Sequence, residues 1–171
     1  MISHLSILTA VLDGHDDELR AFIAKLPVEQ SPFASVPGTH NGRFTVIHTG
    51  PLSRSDPPSL RSGGLPHPML MCSAVIDSPP AEWLGHLLRS LGPDAIRIWS
   101  HCAGWPGPDD AVPWLLRHRV KPWLTFATWK ADVAQMRKAL ELRDQVERFA
   151  VRAQRFDADE LVALFRSTFA K

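Results

Sequence analysis

The stretch that decides the predicted fold is Ile96–Gly107, which reads IRIWSHCAGWPG. Its first residues alternate the apolar Ile96 and Ile98 with other side chains, which is the two-residue period of a strand. The segment GWPG at residues 104–107 then breaks that pattern, because glycine and proline favour turns. We therefore predict a strand that begins near Ile96 and ends at this turn.

The chain before this stretch alternates strand-like and helix-like patterns. Apolar β-branched runs predict strands, and apolar residues at helical spacing before a proline or glycine stop predict helices. The predicted elements are a strand at 4–12, a helix at 16–26, a strand at 43–49, a strand at 69–76 and a helix at 78–91. With the strand near residue 96 the order is βαββαβ, the ferredoxin-like arrangement of an antiparallel four-stranded sheet with two helices on one face.

The chain after this stretch is predicted to extend the same α+β domain. The alternating aromatic run WLTFATW at residues 123–129 predicts an added strand, and amphipathic patterns at 131–153 and from Asp157 onward predict two C-terminal helices. We therefore divide the chain into a ferredoxin-like unit at 1–107 and a C-terminal extension at 108–171 that packs on the same domain.

The composition is that of a globular chain with balanced charge. Of its 171 residues 44% are hydrophobic and 22% are charged, with 19 Lys and Arg against 18 Asp and Glu. The resulting net charge of +1 argues against a nucleic-acid partner, since phosphate binding normally leaves a basic surplus. No apolar run approaches the roughly 18 residues that a membrane helix requires, so no membrane partner is expected.

The cysteine content predicts a reducing environment. Cys72 and Cys102 are too few for a disulfide framework, and they lack the spacing of a zinc site. The N-terminal residues lack the basic and apolar regions of a secretory signal. We therefore expect a cytoplasmic protein with free thiols.

Three segments resemble a known family. Residues 39–44 (THNGRF) resemble the pattern T-H-F-A-R-[FW], and residues 98–107 (IWSHCAGWPG) resemble I-W-x-H-C-x-G-Y-P-G. Residues 129–144 resemble a Y-P-G-R turn followed by A-x-L-R-D in a helix, although the turn itself is largely lost. The chain is similar in these segments to a bacterial family of ferredoxin-like proteins in the dimeric α+β barrel superfamily. It departs from the pattern at Asn41-Gly42, in place of Phe-Ala, and at Trp105, in place of Tyr.

The resemblance implies a homodimer with a ligand cavity in each subunit. In that superfamily two sheets face each other, and relatives bind haem, oxidise aromatic substrates or remove small organic products. The haem peroxidases among them carry a G-x-x-D-G segment. Residues 10–14 (AVLDG) lack its first glycine and predict a strand end and helix start instead, so haem is kept only as a further alternative.

His101 and Cys102 form the first pair of candidate site residues. A Cys-His nucleophile needs the two side chains within hydrogen-bonding reach. Adjacent strand residues point to opposite faces, so these two share a pocket only if the chain has already turned. The alternative is a histidine that holds the strand end beside a thiol packed as a small hydrophobe.

His40 and Arg43 form the second pair, at the point where a loop enters a strand. The Arg43 guanidinium has the geometry to fork onto a carboxylate or phosphate, with His40 as hydrogen-bond donor or base. The alternative is an arginine that ties down the preceding loop. Trp99 and Trp105 complete the predicted ligand-binding set of His40, Arg43, Trp99, His101 and Trp105.

The eight histidines predict no metal site. None of them has the H-x-H, H-x-x-x-H or H-E-x-x-H spacing of a local ligand motif, so a site would need distant residues.

Two classes of function remain open on the sequence. The first is a protein that binds or modifies a small, partly apolar molecule in a cavity of a dimeric α+β barrel. The second is a non-catalytic interaction module, suggested by the aromatic strand at 123–129, with the haem-dependent peroxidase-like protein as a further alternative. The sequence assigns no reaction and no catalytic residue.

Overall fold

A computed structural model of the chain describes residues 2–47, 66–122 and 131–169. These residues belong to two units, 1–130 and 131–171. The strand predicted at 123–129 lies outside the described residues. Among the helices that are described, none is long and apolar enough to cross a membrane.

Within the part of the chain that the structure describes, the first unit is built on a three-stranded antiparallel sheet. Strands β1 (Ser3–Ala10), β2 (Thr39–Ile47) and β3 (Met69–Ile76) are arranged in the order β1-β3-β2. The residues of the central strand β3 alternate between buried and half-buried. The inner face of the sheet is therefore buried along β1 and β3 and half-buried along β2, and the outer face carries half-buried or exposed side chains.

The described residues of this unit form four helices: α1 (Asp16–Ile23), α2 (Pro80–Leu91), α3 (Pro93–Trp99) and α4 (Ala111–Arg117). They contribute the rest of the core. The hydrophobic core side chains with at most 1% exposure are Leu5, Ile7, Leu19, Leu70, Cys72, Ile76, Trp83, Leu84, Leu87, Ile98, Trp99, Ala111 and Leu115.

The predicted fourth strand is wrong, because residues 93–99 form helix α3. Gly92 ends α2 with a φ of +55°, and Pro93 begins the next helix at once, a position that proline tolerates because its missing N–H would have no partner there. Ala95, Ile98 and Trp99 are buried at helical spacing, whereas Ile96 is 45% exposed. The α+β class is confirmed, but the ferredoxin-like βαββαβ order is not, since its last strand is a helix.

Two short segments bind the edge of β1 that faces away from β3. The Ala103 N–H donates to the Ala10 carbonyl (2.8 Å), and the Leu12 N–H donates to the His101 carbonyl (2.8 Å). Farther along this edge the Val120 N–H donates to the Ser6 carbonyl at 2.8 Å. The chain after α3 thus satisfies backbone groups of an edge that the missing fourth strand would have covered.

The second unit is a pair of helices, α5 (Val133–Ala153) and α6 (Ala158–Phe169). Asp132 accepts from the Gln135 N–H in a capping box at the start of α5. A second capping box precedes α6, because Asp157 Oδ1 accepts from the Glu160 N–H at 3.0 Å and the Glu160 carboxylate accepts from the Asp157 N–H.

Candidate functional site

The outer face of the sheet carries a polar row that crosses all three strands. Ser6 of β1 is paired with Ser73 of β3, and Ser73 is paired with Arg43 of β2. One step along, His4, Val75 and Asn41 form a second row. These six side chains share one face because pairing in register places partners on the same side of a sheet.

A cavity of about 330 Å³ lies over these two rows. Its lining residues are His4, Leu5, Ser6, Asn41, Arg43, Ser73, Ala74 and Val75. We call this the sheet cavity. It brings a guanidinium, an imidazole, two hydroxyls and an amide together, and its described lining contains no carboxylate.

The hydrogen bonds formed within the sheet cavity leave some of its side-chain groups available to bind a ligand. Arg43 Nε donates to the Ser73 hydroxyl at 3.1 Å, which holds the guanidinium across the strands. The His4 Nε2 atom is buried and has no hydrogen-bond partner among the described residues. A buried polar atom without a partner costs about 1–3 kcal/mol, so a ligand that bonds to it would recover that free energy.

The other half of the outer face is mostly apolar, although Thr45 of β2, which is paired with Met71, also lies there. Leu8 and Ala10 of β1 are paired with Met71 and Met69 of β3, and Ile47 of β2 is paired with Met69. All five side chains are half-buried. The outer face is therefore divided into a cationic polar half and an adjoining apolar half.

His40 lies at the bulge where β2 begins and does not line the sheet cavity. Its Nε2 atom is 2.7 Å from Asp77 Oδ1, and both side chains are mostly buried (13% and 16% exposed). This contact joins the start of β2 to the residue that follows β3. His40 therefore contacts Asp77 and does not lie with Arg43 at the sheet cavity.

Trp99 lies in the aromatic core, and Trp105, which is half-buried, packs against it. Trp99 is fully buried, its ring stacks on Trp105 with centroids 6.1 Å apart, and its edge meets Phe44 at 5.8 Å. Trp105 in turn meets Trp114 at 5.3 Å. Because Phe44 points to the inner face and Arg43 to the outer one, the sheet separates the tryptophans from the sheet cavity.

His101 and Cys102 point to different surroundings. His101 Nδ1 lies 3.0 Å from Nδ1 of His15, whereas the Cys102 sulfur is buried and accepts a hydrogen bond from the Thr9 hydroxyl at 3.3 Å. Burial raises the pKa of the Cys102 thiol to about 11, and the Thr9 hydrogen bond lowers it by a smaller amount. A thiol with that pKa is protonated at neutral pH, so it does not act as a nucleophile.

The five predicted residues therefore lie in different places: Arg43 at the sheet cavity, His40 at Asp77, Trp99 in the core with Trp105 packed against it, and His101 beside His15. Sequence reasoning missed His4, Ser6 and Ser73, although strand alternation placed them opposite the buried residues of β1 and β3. It also missed His15 and Glu18, whose neighbour His101 is 86 positions away from His15 in the chain.

Comparison of the chain with protein-family models, with curated protein sequences and with solved structures finds no match. The resemblance to the ferredoxin-like family therefore stays a prediction.

Proposed function

We propose that this chain binds a small, partly apolar anion on the outer face of its sheet. The observation that carries the proposal is the row Ser6–Ser73–Arg43 at the sheet cavity, which aligns hydroxyls and a guanidinium across three strands. A guanidinium presents five N–H donors in a fork that matches carboxylate and phosphate oxygens. Ser6, Ser73 and Asn41 add neutral donors around that fork.

The apolar half of the outer face supports a ligand with a hydrocarbon part. An anion held at Arg43 can lay a short chain over Leu8 and Met71, which lie in the next outer-face row beyond Ser6 and Ser73. Burial of each methylene contributes about 0.8 kcal/mol, or roughly a fourfold gain in affinity. The ligand class is therefore a short-chain carboxylate or an organic phosphate with an apolar portion.

The proposal includes a homodimer as the working form. In the superfamily that the sequence resembles, two sheets face each other and enclose the ligand. Half-buried Met69, Met71 and Leu8 are side chains that a second sheet would cover. We expect a mass of twice 19.0 kDa in solution at micromolar concentration, and a strictly monomeric mass would remove the dimer from the proposal. Both cysteines are free thiols, which suits the predicted cytoplasmic location.

The test is a titration with straight-chain carboxylates from acetate to octanoate, followed by amide chemical shifts. We expect affinity to rise with chain length and shifts to concentrate at Ser6, Asn41, Arg43 and Ser73. The variant Arg43→Gln should weaken octanoate binding by at least about 10-fold, since hydrogen bonds to charged groups contribute about 1.5–3 kcal/mol. The control Arg89→Gln removes an exposed guanidinium from α2 and should leave binding unchanged.

Equal binding by the Arg43→Gln variant, or shifts confined to other parts of the chain, would overturn the proposal. An absorption spectrum of the purified protein tests the haem alternative separately, since bound haem gives a Soret band. Binding of octanoate and binding of haem are independent outcomes of these two measurements.

A further inference from the structure

The start of α1 and the segment after α3 bring three metal-ligating side chains together. The Nδ1 atoms of His15 and His101 are 3.0 Å apart, and their rings meet at an angle of 65°. Glu18 lies one helical turn from His15. One ligand atom of each of these three residues lies within 4.8 Å of the other two.

The backbone fixes both histidines without help from their side chains. The Leu12 N–H donates to the His101 carbonyl at 2.8 Å, and the Leu12 carbonyl accepts from the His15 N–H at 3.0 Å. Leu19 and Cys102, which neighbour Glu18 and His101 in the chain, are buried in the core at 0% and 2% exposure. The two imidazoles are therefore held by residues whose positions the core determines.

Only one proton fits between the Nδ1 atoms of the two imidazoles. A neutral imidazole carries one N–H and one lone pair, so a direct Nδ1–Nδ1 hydrogen bond requires a donor on one ring and an acceptor on the other. Protons on both atoms would face each other at 3.0 Å. A metal ion between the rings accepts both lone pairs, and each ring then keeps its proton on Nε2.

The distance of 3.0 Å between the two Nδ1 atoms is close to the one expected around a tetrahedrally coordinated ion. Zinc–nitrogen bonds of about 2.0–2.1 Å at the tetrahedral angle place two ligand nitrogens about 3.3 Å apart. The two Nδ1 atoms need to move apart by only about 0.3 Å to reach that distance. Glu18 is exposed, so its carboxylate is free to rotate toward an ion between the rings.

The charges of the same segment favour a divalent cation. Residues 13–18 contain four carboxylates, at Asp13, Asp16, Asp17 and Glu18, and no Lys or Arg. Two imidazoles and one carboxylate form a ligand set that suits zinc, and three protein ligands leave a fourth position for water or another donor.

We propose that His15, Glu18 and His101 form a zinc site at the corner between β1 and α1. This site does not rest on the proposed function. It lies at the opposite end of β1 from His4 and Ser6, which line the sheet cavity.

The test is a zinc titration of the metal-free, full-length chain in competition with a chromophoric chelator. We expect one tight equivalent. His15→Ala and His101→Ala should each weaken binding by more than about 100-fold, because loss of an outer-shell partner alone costs roughly 10–100-fold. Glu18→Gln should weaken it by a smaller factor. Cobalt substituted for zinc should show the intense visible bands of a four-coordinate ion.

His86→Ala is the matched control. His86 lies on α2 with the Glu82 carboxylate 4.0 Å away, so this pair also combines an imidazole and a carboxylate on a helix, but no second imidazole joins it among the described residues. We expect its zinc affinity to equal that of the original chain. Circular dichroism checks the fold of each variant, and ring resonances of His15 and His101 that shift on zinc addition give a readout that needs no variant.

Two results would overturn the site. One is the absence of a stoichiometric zinc complex at micromolar concentration, which would leave the contact as a hydrogen-bonded histidine pair. The other is tight binding that persists in folded His15→Ala and His101→Ala proteins. If only His101→Ala fails to fold, His15→Ala and the ring resonances decide the matter.

Discussion

Gly42 and Phe33 are in such close contact that a Cβ at position 42 would lie 2.4 Å from Cδ1 of the Phe33 ring. The ring itself is held between Phe44, at a centroid distance of 5.0 Å, and Trp83, at 6.2 Å. Phe33 therefore cannot move aside without disturbing two other aromatic side chains. We expect Gly42→Ala to lower the free energy of unfolding by about 1–3 kcal/mol, the usual cost of overpacking, as measured by urea denaturation.

Gly85→Ala is the control for that substitution, and we expect it to raise the free energy of unfolding instead of lowering it. Gly85 lies inside α2, and a Cβ there would meet only Arg89 Nη1 at an ordinary 3.5 Å. Alanine is favoured over glycine in a helix by about 0.5–1 kcal/mol. Equal stability of the two variants would contradict the packing assigned to Phe33.

Strands β1 to β3 and helices α1 and α2 of the first unit could be predicted, because period and stop signals agree there. Helix α3 could not, since Ile96 and Ile98 alternate as in a strand while Ala95, Ile98 and Trp99 recur as in a helix. A run of seven residues does not distinguish the two periods. Gly92-Pro93 is a stop signal for α2 and at the same time the start of α3.

The site residues were predicted less well, because they depend on which segments meet. Arg43 was found from its type and its place at a strand, but its neighbours Ser6 and Ser73 depend on the strand register. His101 was singled out, yet its contact with His15 exists only because the chain after α3 returns along the edge of β1. The strand that the sequence predicts from residue 96 gives no indication that the chain runs back along β1 in this way.

The contact between His40 and Asp77 is predicted to contribute to stability and not to ligand binding. Their 2.7 Å hydrogen bond is mostly buried, and a hydrogen bond to a charged group contributes about 1.5–3 kcal/mol. We expect His40→Ala and Asp77→Asn to be destabilising in urea denaturation, with a coupling of roughly 0.5–3 kcal/mol in a double-mutant cycle. Octanoate affinity of the folded His40→Ala protein should be unchanged.

His67→Ala serves as the control for the His40 prediction. His67 Nδ1 lies 3.0 Å from Asp13 Oδ1, but these side chains are 55% and 82% exposed. An exposed pair contributes little, so no measurable loss of stability is expected. A loss as large as that of His40→Ala would show that burial does not distinguish the two pairs.

The two buried thiols are predicted to make the fold sensitive to alkaline pH. Burial raises the pKa of Cys72 from 9.0 to about 12 and that of Cys102 to about 11. Above pH 9 the unfolded chain loses these protons while the folded chain keeps them, so the unfolded state binds fewer protons. The contribution of the two protonated thiols to the free energy of unfolding is complete below pH 9. It is lost as the pH rises toward 11–12, and the free energy of unfolding then falls by more than about 1 kcal/mol per pH unit for each thiol.

Urea denaturation at a series of pH values checks this prediction, because the chain contains no tyrosine to titrate in the same range. The Cys72→Ala, Cys102→Ala double variant should show a flatter decline between pH 9 and 11, whatever its stability at neutral pH. A decline as steep as that of the original chain would assign the effect to lysines or to other groups. Thiol reagents should label the native protein slowly and the unfolded protein fast.

Zinc is predicted to stabilise the first unit through His15 and His101. These residues lie in segments that fold against each other, so an ion bound to both favours the folded chain. At 100 times its dissociation constant a ligand that binds only the folded state adds about 2.7 kcal/mol. We expect a rise of that order in the free energy of unfolding, measured with and without zinc at fixed protein concentration.

The rise should disappear in His15→Ala and persist in His86→Ala, because only the former removes a proposed ligand. Lower pH should also abolish it, since protons compete with zinc for imidazole. Zinc can bind histidines of the unfolded chain as well, and such binding reduces the measured rise. The comparison of the two variants cancels that reduction, because each lacks one histidine in the unfolded state. Equal stabilisation of both variants by zinc would therefore contradict a site at the corner between β1 and α1.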